Sequence, residues 1–137
     1  MPNRGDLFLY KEFQFDDGEK SNKLFIILNT PTGADLCLGI MTTSQSKWYA
    51  EAQRGCNEKL KCFFVPVAWQ NCFDKDTYIQ MPRIYRFRAD QIVDGGMGGR
   101  IQLISKSLTK DCMDALRGCL RKFTDDITPI YLSLIFS

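Results

Sequence analysis

The chain has 137 residues and a mass of 15.8 kDa, which is the size of one ordinary domain. Hydrophobic residues make up 45% of it and charged residues 25%, a balance that excludes the disordered and low-complexity classes of protein. The 18 basic and 16 acidic residues leave a net charge of only +2, so binding of a polyanion would depend on local clusters of positive charge. We therefore expect one folded domain covering residues 1–137.

Six cysteines and no histidine limit the chemistry of the chain. Without histidine, the Ser-His, Cys-His and HExxH mechanisms are excluded. The sequence has no CxxC pair. We expect no signal peptide, because no cationic stretch is followed by an apolar run near the start of the sequence. An even number of cysteines permits disulfides, but we expect reduced thiols in a cytoplasmic protein, with Cys112 and Cys119 as small core residues. The longest apolar run, residues 130–136, is too short to cross a membrane.

Most of the chain has the pattern of short β-strands. Residues 6–15 alternate between polar and apolar, as a half-buried strand does, and residues 23–29 form a continuous apolar run typical of a central strand. Residues 36–44 predict a third strand with a polar end. Further strands are predicted at residues 61–67, 77–80, 83–87 and 100–105, and the glycine-rich segment 95–99 predicts a hairpin loop.

Between residues 108 and 123 the apolar period becomes that of a helix. Leu108, Cys112, Leu116 and Leu120 lie on one stripe of it, and Ser107 is the predicted N-cap. Short strands followed by one amphipathic helix predict a mainly β fold, either a small barrel or a strongly curved antiparallel sheet packed by that helix.

Four local patterns occur in a fixed order along the chain. Residues 4–6 read Arg-Gly-Asp at the start of the first strand, and residues 18–29 place a hydrophobic strand after a loop with glycine and glutamate. Residues 42–45 read Thr-Thr-Ser-Gln at the end of an apolar strand. Residues 81–83 read Met-Pro-Arg and lead through Gly-Gly-Arg at 98–100 to the helix. Together these patterns resemble those of the MazF/PemK family of toxin endoribonucleases.

The resemblance implies a fold, an activity and partners. The implied fold is a single MazF/PemK-like domain, a small SH3-like barrel with one C-terminal helix, usually in a homodimer. The implied activity is sequence-specific cleavage of single-stranded RNA, with no cofactor and no metal, by the toxin of a toxin–antitoxin module. A cognate antitoxin protein would cover the RNA groove. Residues 48–61 look like an insertion relative to compact members of the family.

The family pattern also implies site residues. An arginine beside the second strand and a threonine at the end of the third serve catalysis in the family, and Thr43 matches that threonine. The arginine has no counterpart; Lys23 is the nearest cation and Lys20 the next, and a lysine supplies charge without bidentate phosphate recognition. We therefore expect Lys23 and Thr43 to be catalytic, while a solvated lysine and a strand-favouring threonine remain the alternative. The residues expected to bind RNA are Lys20, Thr42, Ser44, Gln45, Tyr78, Gln80, Arg83 and Arg86.

The general base is less clearly indicated. Some family members carry an Arg-x-Asp pair where this chain has Tyr78 and Gln80, and glutamine cannot accept a proton. Asp16, Asp17 and Glu19 in the first loop are candidate carboxylates, or simply solvated acids. The two tryptophans beside the insertion, at positions 48 and 69, could stack on an unpaired base or pack in the core or a dimer interface.

Two functions therefore compete. The first is a metal-free endoribonuclease toxin, which the Thr-Thr-Ser-Gln strand end favours. The second is a MazF-like barrel that has lost catalysis and acts as a binding module for RNA or for a protein partner such as a gyrase-type target. The missing arginine and the missing Arg-x-Asp pair favour the second.

Overall fold

In a computed structural model, which describes residues 2–15, 17–32 and 36–137, the chain folds around one antiparallel sheet. The strands are β1 (Asp6–Gln14), β2 (Lys20–Ile27), β3 (Leu36–Thr43), β4 (Gly55–Asn57), β5 (Cys62–Val65), β6 (Thr77–Arg88) and β7 (Ile101–Ser107). In the sheet they run in the order β4-β5-β6-β3-β2-β1-β7, so β4 and β7 lie at the two ends. The helices are α1 (Ala89–Val93), α2 (Gly96–Gly99), α3 (Lys110–Leu120), a 3₁₀ helix (Arg121–Asp126) and α4 (Pro129–Ile135).

The expected mainly β class is confirmed, and the first three strands lie close to their predicted positions. The two strands expected on either side of Pro82 are one continuous strand, β6. Pro82 follows a cis peptide bond at a point where the pairing with β3 shifts register, and such an irregularity tolerates a residue without an amide hydrogen. The hairpin loop predicted at residues 95–99 is wrong, because β7 pairs with β1 rather than with β6. The segment between β6 and β7 instead forms α1 and α2.

The amphipathic helix is present but begins two residues later than expected. Thr109, not Ser107, is its N-cap: the Thr109 hydroxyl oxygen accepts a hydrogen bond from the Cys112 amide at 3.3 Å. Ser107 ends β7, and its hydroxyl donates to the Asp6 carboxylate at 2.6 Å. The C-terminal helix α4 was not predicted, although Thr128 and Pro129 form a recognisable start for it.

The sheet has a packed core on each face. Alternate residues of each strand divide between them, as Leu7 and Phe8 of β1 do. The first core is mostly aliphatic and is covered by α3, which contributes Leu116 and Leu120. The second core is rich in aromatic rings and is covered in part by Ala89 and Ile92 of α1. Around the second core lie half-buried rings at Tyr10, Phe13, Phe15, Tyr85 and Phe87.

Arg4 joins the start of the sheet to the end of α4. Its guanidinium donates to the carbonyls of Leu28 at 2.9 Å and of Leu134 at 3.2 Å. Arg117 of α3 donates to the Ile135 carbonyl at 3.0 Å. The bonds to Leu134 and Ile135 satisfy carbonyls that the last turn of a helix leaves without intrahelical partners. The Arg-Gly-Asp pattern therefore has a structural role at this position.

The expectation of reduced thiols is wrong for one pair of cysteines. Cys56 of β4 and Cys119 of α3 form a disulfide across 63 residues of sequence, with 5.5 Å between their Cα atoms. Cys112 is a buried core residue as expected, whereas Cys119 is both buried and cross-linked. Buried thiols also lie at positions 37, 62, 72 and 112, and burial raises the pKa of Cys37 and of Cys112 to about 12.

Candidate functional site

A cleft of about 460 Å³ opens beside the start of β2 and the end of β3, two neighbouring inner strands of the sheet. Its floor is continuous with the first core through Leu7, Cys72 and Phe73. Its rim is polar and comes from the start of β2, the end of β3, the segment before β6, and Lys106 of β7. A concave site with an apolar floor and several polar groups is the usual form of a ligand site.

Five of the residues expected from the sequence lie around this cleft: Lys23, Thr42, Thr43, Ser44 and Gln45. The strand register explains why Lys23 and Thr43 meet there. Phe25 of β2 pairs with Met41 of β3, and both belong to the second core. Two positions before the first and two positions after the second, Lys23 and Thr43 follow at the same end of these antiparallel strands and on that same face. The lysine and the hydroxyl cluster are therefore brought together, although they are 20 positions apart in sequence.

The two threonines differ in what their hydroxyls do. Thr42 is buried, and its hydroxyl donates to the Leu24 carbonyl at 2.8 Å, which holds β3 to β2. Thr43 is half-buried, and its hydroxyl oxygen accepts a hydrogen bond from the Gln45 amide at 3.2 Å. Because that bond uses only the oxygen, the Thr43 hydroxyl proton remains able to bind a ligand oxygen.

Lys23 lies beside an aromatic ring and near one other cation, Arg83. Its ammonium is 5.6 Å from the centre of the Phe15 ring. Burial, and then the charge of Arg83, lower the pKa of Lys23 below its usual value. Within the described part of the chain, neither Lys23 nor Arg83 forms an ion pair with a carboxylate. Two neighbouring cations without an acidic partner form a local site of positive potential, which favours an anion.

Tyr78 and Gln80 are placed against the protein and do not line the cleft. Tyr78 is only 6% exposed and stacks between Phe64 at 4.6 Å and Tyr49 at 5.2 Å, measured between ring centres. The side-chain amide of Gln80 donates to the Tyr49 hydroxyl at 3.3 Å. A ring with a protein ring on each side has no face left for a nucleobase.

The other three expected RNA-binding residues lie outside the cleft. Lys20 is exposed at the start of β2. Arg83 donates to the Tyr85 hydroxyl at 3.3 Å and is near enough to Lys23 to influence its pKa. Arg86 lines two shallow grooves beside Phe87, at the other end of β6. Arg83 is thus outside the cleft but acts electrostatically on Lys23, and Lys20 and Arg86 also lie outside the cleft.

Three charged residues of the cleft were not among those expected from the sequence: Asp74, Lys75 and Lys106. The Lys106 ammonium lies 3.8 Å from the Asp74 carboxylate. Lys106 could have been predicted from the alternation of side chains in β7, since this places it on the same face as Ile104, which also lines the cleft. Asp74 and Lys75 lie in the irregular segment before β6, where no period indicates direction.

Two acids of the first loop, Asp17 and Glu19, do not line the cleft. Asp17 and Glu19 are exposed, and the Asp17 carboxylate accepts a hydrogen bond from the Glu19 amide at 3.0 Å. The third candidate, Asp16, lies outside the described residues. Among the described residues, the carboxylate that lines the cleft is that of Asp74.

Two further observations bear on the class of the protein. Across residues 2–15, 17–32 and 36–137, no group of three or more acidic, cysteine or histidine side chains is placed to hold a metal ion. In the same described ranges, no helix has the length and apolar character needed to span a membrane.

Comparison with protein families and with curated proteins gives no relative. The chain matches no protein-family model, and no curated protein matches it. The geometry of the cleft is therefore the main basis for a functional conclusion.

Proposed function

We propose that this protein is a metal-free endoribonuclease of the MazF/PemK type, which cleaves single-stranded RNA at the cleft between β2 and β3. The observation that carries the proposal is that Lys23 and the hydroxyl and amide groups of residues 43–45 line one cleft. The rim adds Lys75 and Lys106 to this positive site, and both are well suited to a phosphate. Arg83 lies outside the cleft, but its charge acts on Lys23 and adds to the positive potential there.

The proposed reaction uses the 2′-hydroxyl of the RNA as its own nucleophile. The 2′-oxygen attacks the adjacent phosphorus and its proton passes to the Asp74 carboxylate. The bond from phosphorus to the 5′-oxygen breaks, and the leaving oxygen takes a proton from the Lys106 ammonium. Lys23 stabilises the charge that develops on the phosphate oxygens, and the Thr43 hydroxyl holds one of them in place. The products are a 2′,3′-cyclic phosphate and a 5′-hydroxyl.

The same proposal includes the biological setting that the family resemblance implies. The protein would be the toxin of a toxin–antitoxin pair, with an SH3-like barrel fold, acting as a homodimer in the cytoplasm and neutralised by a cognate antitoxin protein. The antiparallel sheet with a helix packed on one face supports the barrel, and a positive cleft supports an acidic partner.

Incubation with long single-stranded RNA in the presence of EDTA tests the proposal. We expect mapped fragments that end in a 2′,3′-cyclic phosphate. Thr43→Ala and Lys23→Ala should each slow cleavage by about 10²-fold, the scale for loss of one donor to a developing oxyanion. Thr43→Ser, which keeps the hydroxyl, should retain most of the activity. Lys122→Ala, at an exposed lysine of the 3₁₀ helix, is the control and should cleave normally.

The role of Asp74 has a separate test. Asp74→Asn should slow cleavage by about 10²-fold and remove the acidic limb of the pH profile, because an amide cannot accept the proton. Full activity in Asp74→Asn would exclude Asp74 as the base without excluding the nuclease.

A second function, a catalytically inactive module that binds RNA or a protein partner, is favoured by one observation. The Asp74 side chain is 94% exposed, and a carboxylate so well solvated is a weak general base. RNA that stays intact after prolonged incubation, but binds the protein, would favour this second function.

A further inference from the structure

Trp48 is the most exposed large hydrophobic side chain of the described residues, with 73% of its surface accessible. It lies in the segment that connects β3 to β4, which contains turns rather than regular structure. Leaving an indole ring in water forgoes the stabilisation that its burial would give. An exposed ring can bind a ligand at a lower entropic cost when the backbone that carries it is held in place.

The residue after Trp48 provides that support. The Tyr49 ring stacks on Tyr78 at 5.2 Å, and its hydroxyl accepts a hydrogen bond from Gln80 at 3.3 Å. Its amide donates to the Ser46 carbonyl at 2.9 Å, which closes a turn around Trp48. The tyrosine is thus fixed to β6, and the tryptophan beside it is directed outward.

Trp48 is also close to positive charge and to the cleft. The Lys47 ammonium lies 5.0 Å from the centre of the indole ring, within the range of a cation–π interaction. Gln45, three residues earlier, lines the cleft, and three residues of extended chain span about 10 Å at most. An aromatic ring, an adjacent cation and a nearby cleft lined by lysines and hydroxyl groups are elements with which proteins bind single-stranded nucleic acid.

We propose that Trp48 stacks on an unpaired base of a single-stranded polynucleotide whose backbone enters the cleft. This inference rests on the proposed function only for the class of ligand, and it needs no cleavage. Lys47 contacts a phosphate near the stacked base, and Tyr49 is a positioning residue that holds the ring outward. Stacking on an indole is tolerant of sequence, because every base has a flat face.

Tryptophan fluorescence tests this assignment. The variant Trp69→Phe leaves Trp48 as the single tryptophan and keeps a ring on Phe63, whose centre lies 5.8 Å from that of Trp69. It is titrated with a short 2′-O-methyl RNA of randomised sequence, which has no 2′-hydroxyl and cannot be cleaved by the proposed reaction. The matched titrant is an abasic oligonucleotide of the same length. We expect the RNA to quench the Trp48 emission and the abasic strand to quench it far less.

Affinity gives the second measurement. Trp48→Ala should weaken binding of the 2′-O-methyl RNA by roughly tenfold, the scale of one lost base stack. Ile130→Ala is the matched control, because Ile130 of α4 is 68% exposed and lies far along the chain from the cleft; its affinity should be unchanged.

The outcomes separate the two proposals. Cleavage of ordinary RNA without base-dependent quenching, or with unchanged affinity in Trp48→Ala, would overturn the stacking role and leave the nuclease in place. Quenching and weakened binding without any cleavage would support the stacking role and refute the nuclease.

Discussion

The two faces of the sheet are packed with different types of side chain. The face of the first core is aliphatic, covered by α3, and fastened to the sheet edge by the disulfide between Cys56 and Cys119. The face of the second core carries rings in edge-to-face contact, such as Phe8 on Phe87 at 5.1 Å, and α1 covers part of it. Both faces bury large side chains, yet one depends on a covering helix and the other on ring geometry.

The difference between the two faces matters for the cleft, because residues from both faces contribute to it. Its floor belongs to the first core, whereas Lys23 extends toward Phe15 beside the second. A site at such a boundary can respond to changes on either face. Three changes, in order of decreasing effect, test how independent the two faces are.

The largest effect is expected from removing the cross-link on the covered face. The double variant Cys56→Ala with Cys119→Ala frees a loop of 63 residues in the unfolded chain, which by the chain-entropy model lowers the free energy of unfolding by about 4 kcal/mol. Denaturant unfolding measures it. A reducing agent should destabilise the unmodified protein similarly and leave the double variant unchanged. If the reducing agent has no effect on the unmodified protein, the disulfide does not hold the covered face.

The second change adds a methyl group to the ring face. A Cβ at Gly39 would lie 3.1 Å from the Phe87 ring and 3.2 Å from the Phe8 ring, so both rings must move. We expect Gly39→Ala to lower the free energy of unfolding by about 1–3 kcal/mol, as overpacking commonly does. Denaturant unfolding measures this change as well.

The matched control for Gly39→Ala lies on the covered face. Gly118 of α3 is exposed, and a methyl group added there would meet no described atom within 4 Å. Gly118→Ala should therefore stabilise the helix by up to about 1 kcal/mol. Equal effects of the two substitutions would mean that the ring packing is less constrained than its geometry indicates.

The smallest effect is expected from removing the positive charge of Arg83, which acts on Lys23. The positive charge of Arg83 contributes to the lowered pKa of Lys23, so Arg83→Gln should raise that pKa. Because the ammonium is the form that stabilises a phosphate, the basic limb of the cleavage profile should move to higher pH. NMR titration of the Lys23 side chain measures the pKa directly and does not require activity.

Arg88→Gln is the control for this titration. Arg88 lies on the same strand, but it is paired with Asp90 at 2.8 Å. The variant Arg88→Gln should therefore leave the pKa of Lys23 unchanged. An identical response to both variants would show that the shift comes from net charge and not from the position of Arg83.

The parts of the structure that local pattern controls could be predicted from the sequence. Alternation located β1, and the polar end of an apolar strand located the Thr-Thr-Ser-Gln cluster that lines the cleft. The direction of the Tyr78 side chain could not be predicted, because it depends on contact with Tyr49. Tyr49 lies in a segment that has no helix or strand periodicity. The disulfide could not be predicted from the sequence either, since it requires β4 and α3 to meet across 63 residues.

The stack of Phe64, Tyr78 and Tyr49 gives three separate stretches of the chain a common support. Tyr78 pairs with Thr43 in the ladder, so the hydroxyl at the cleft and the indole outside it share this support. A substitution at position 64 would therefore disturb both groups together, although Phe64 stacks on neither. In a genetic screen for loss of function, such a substitution would resemble a lesion in the cleft itself.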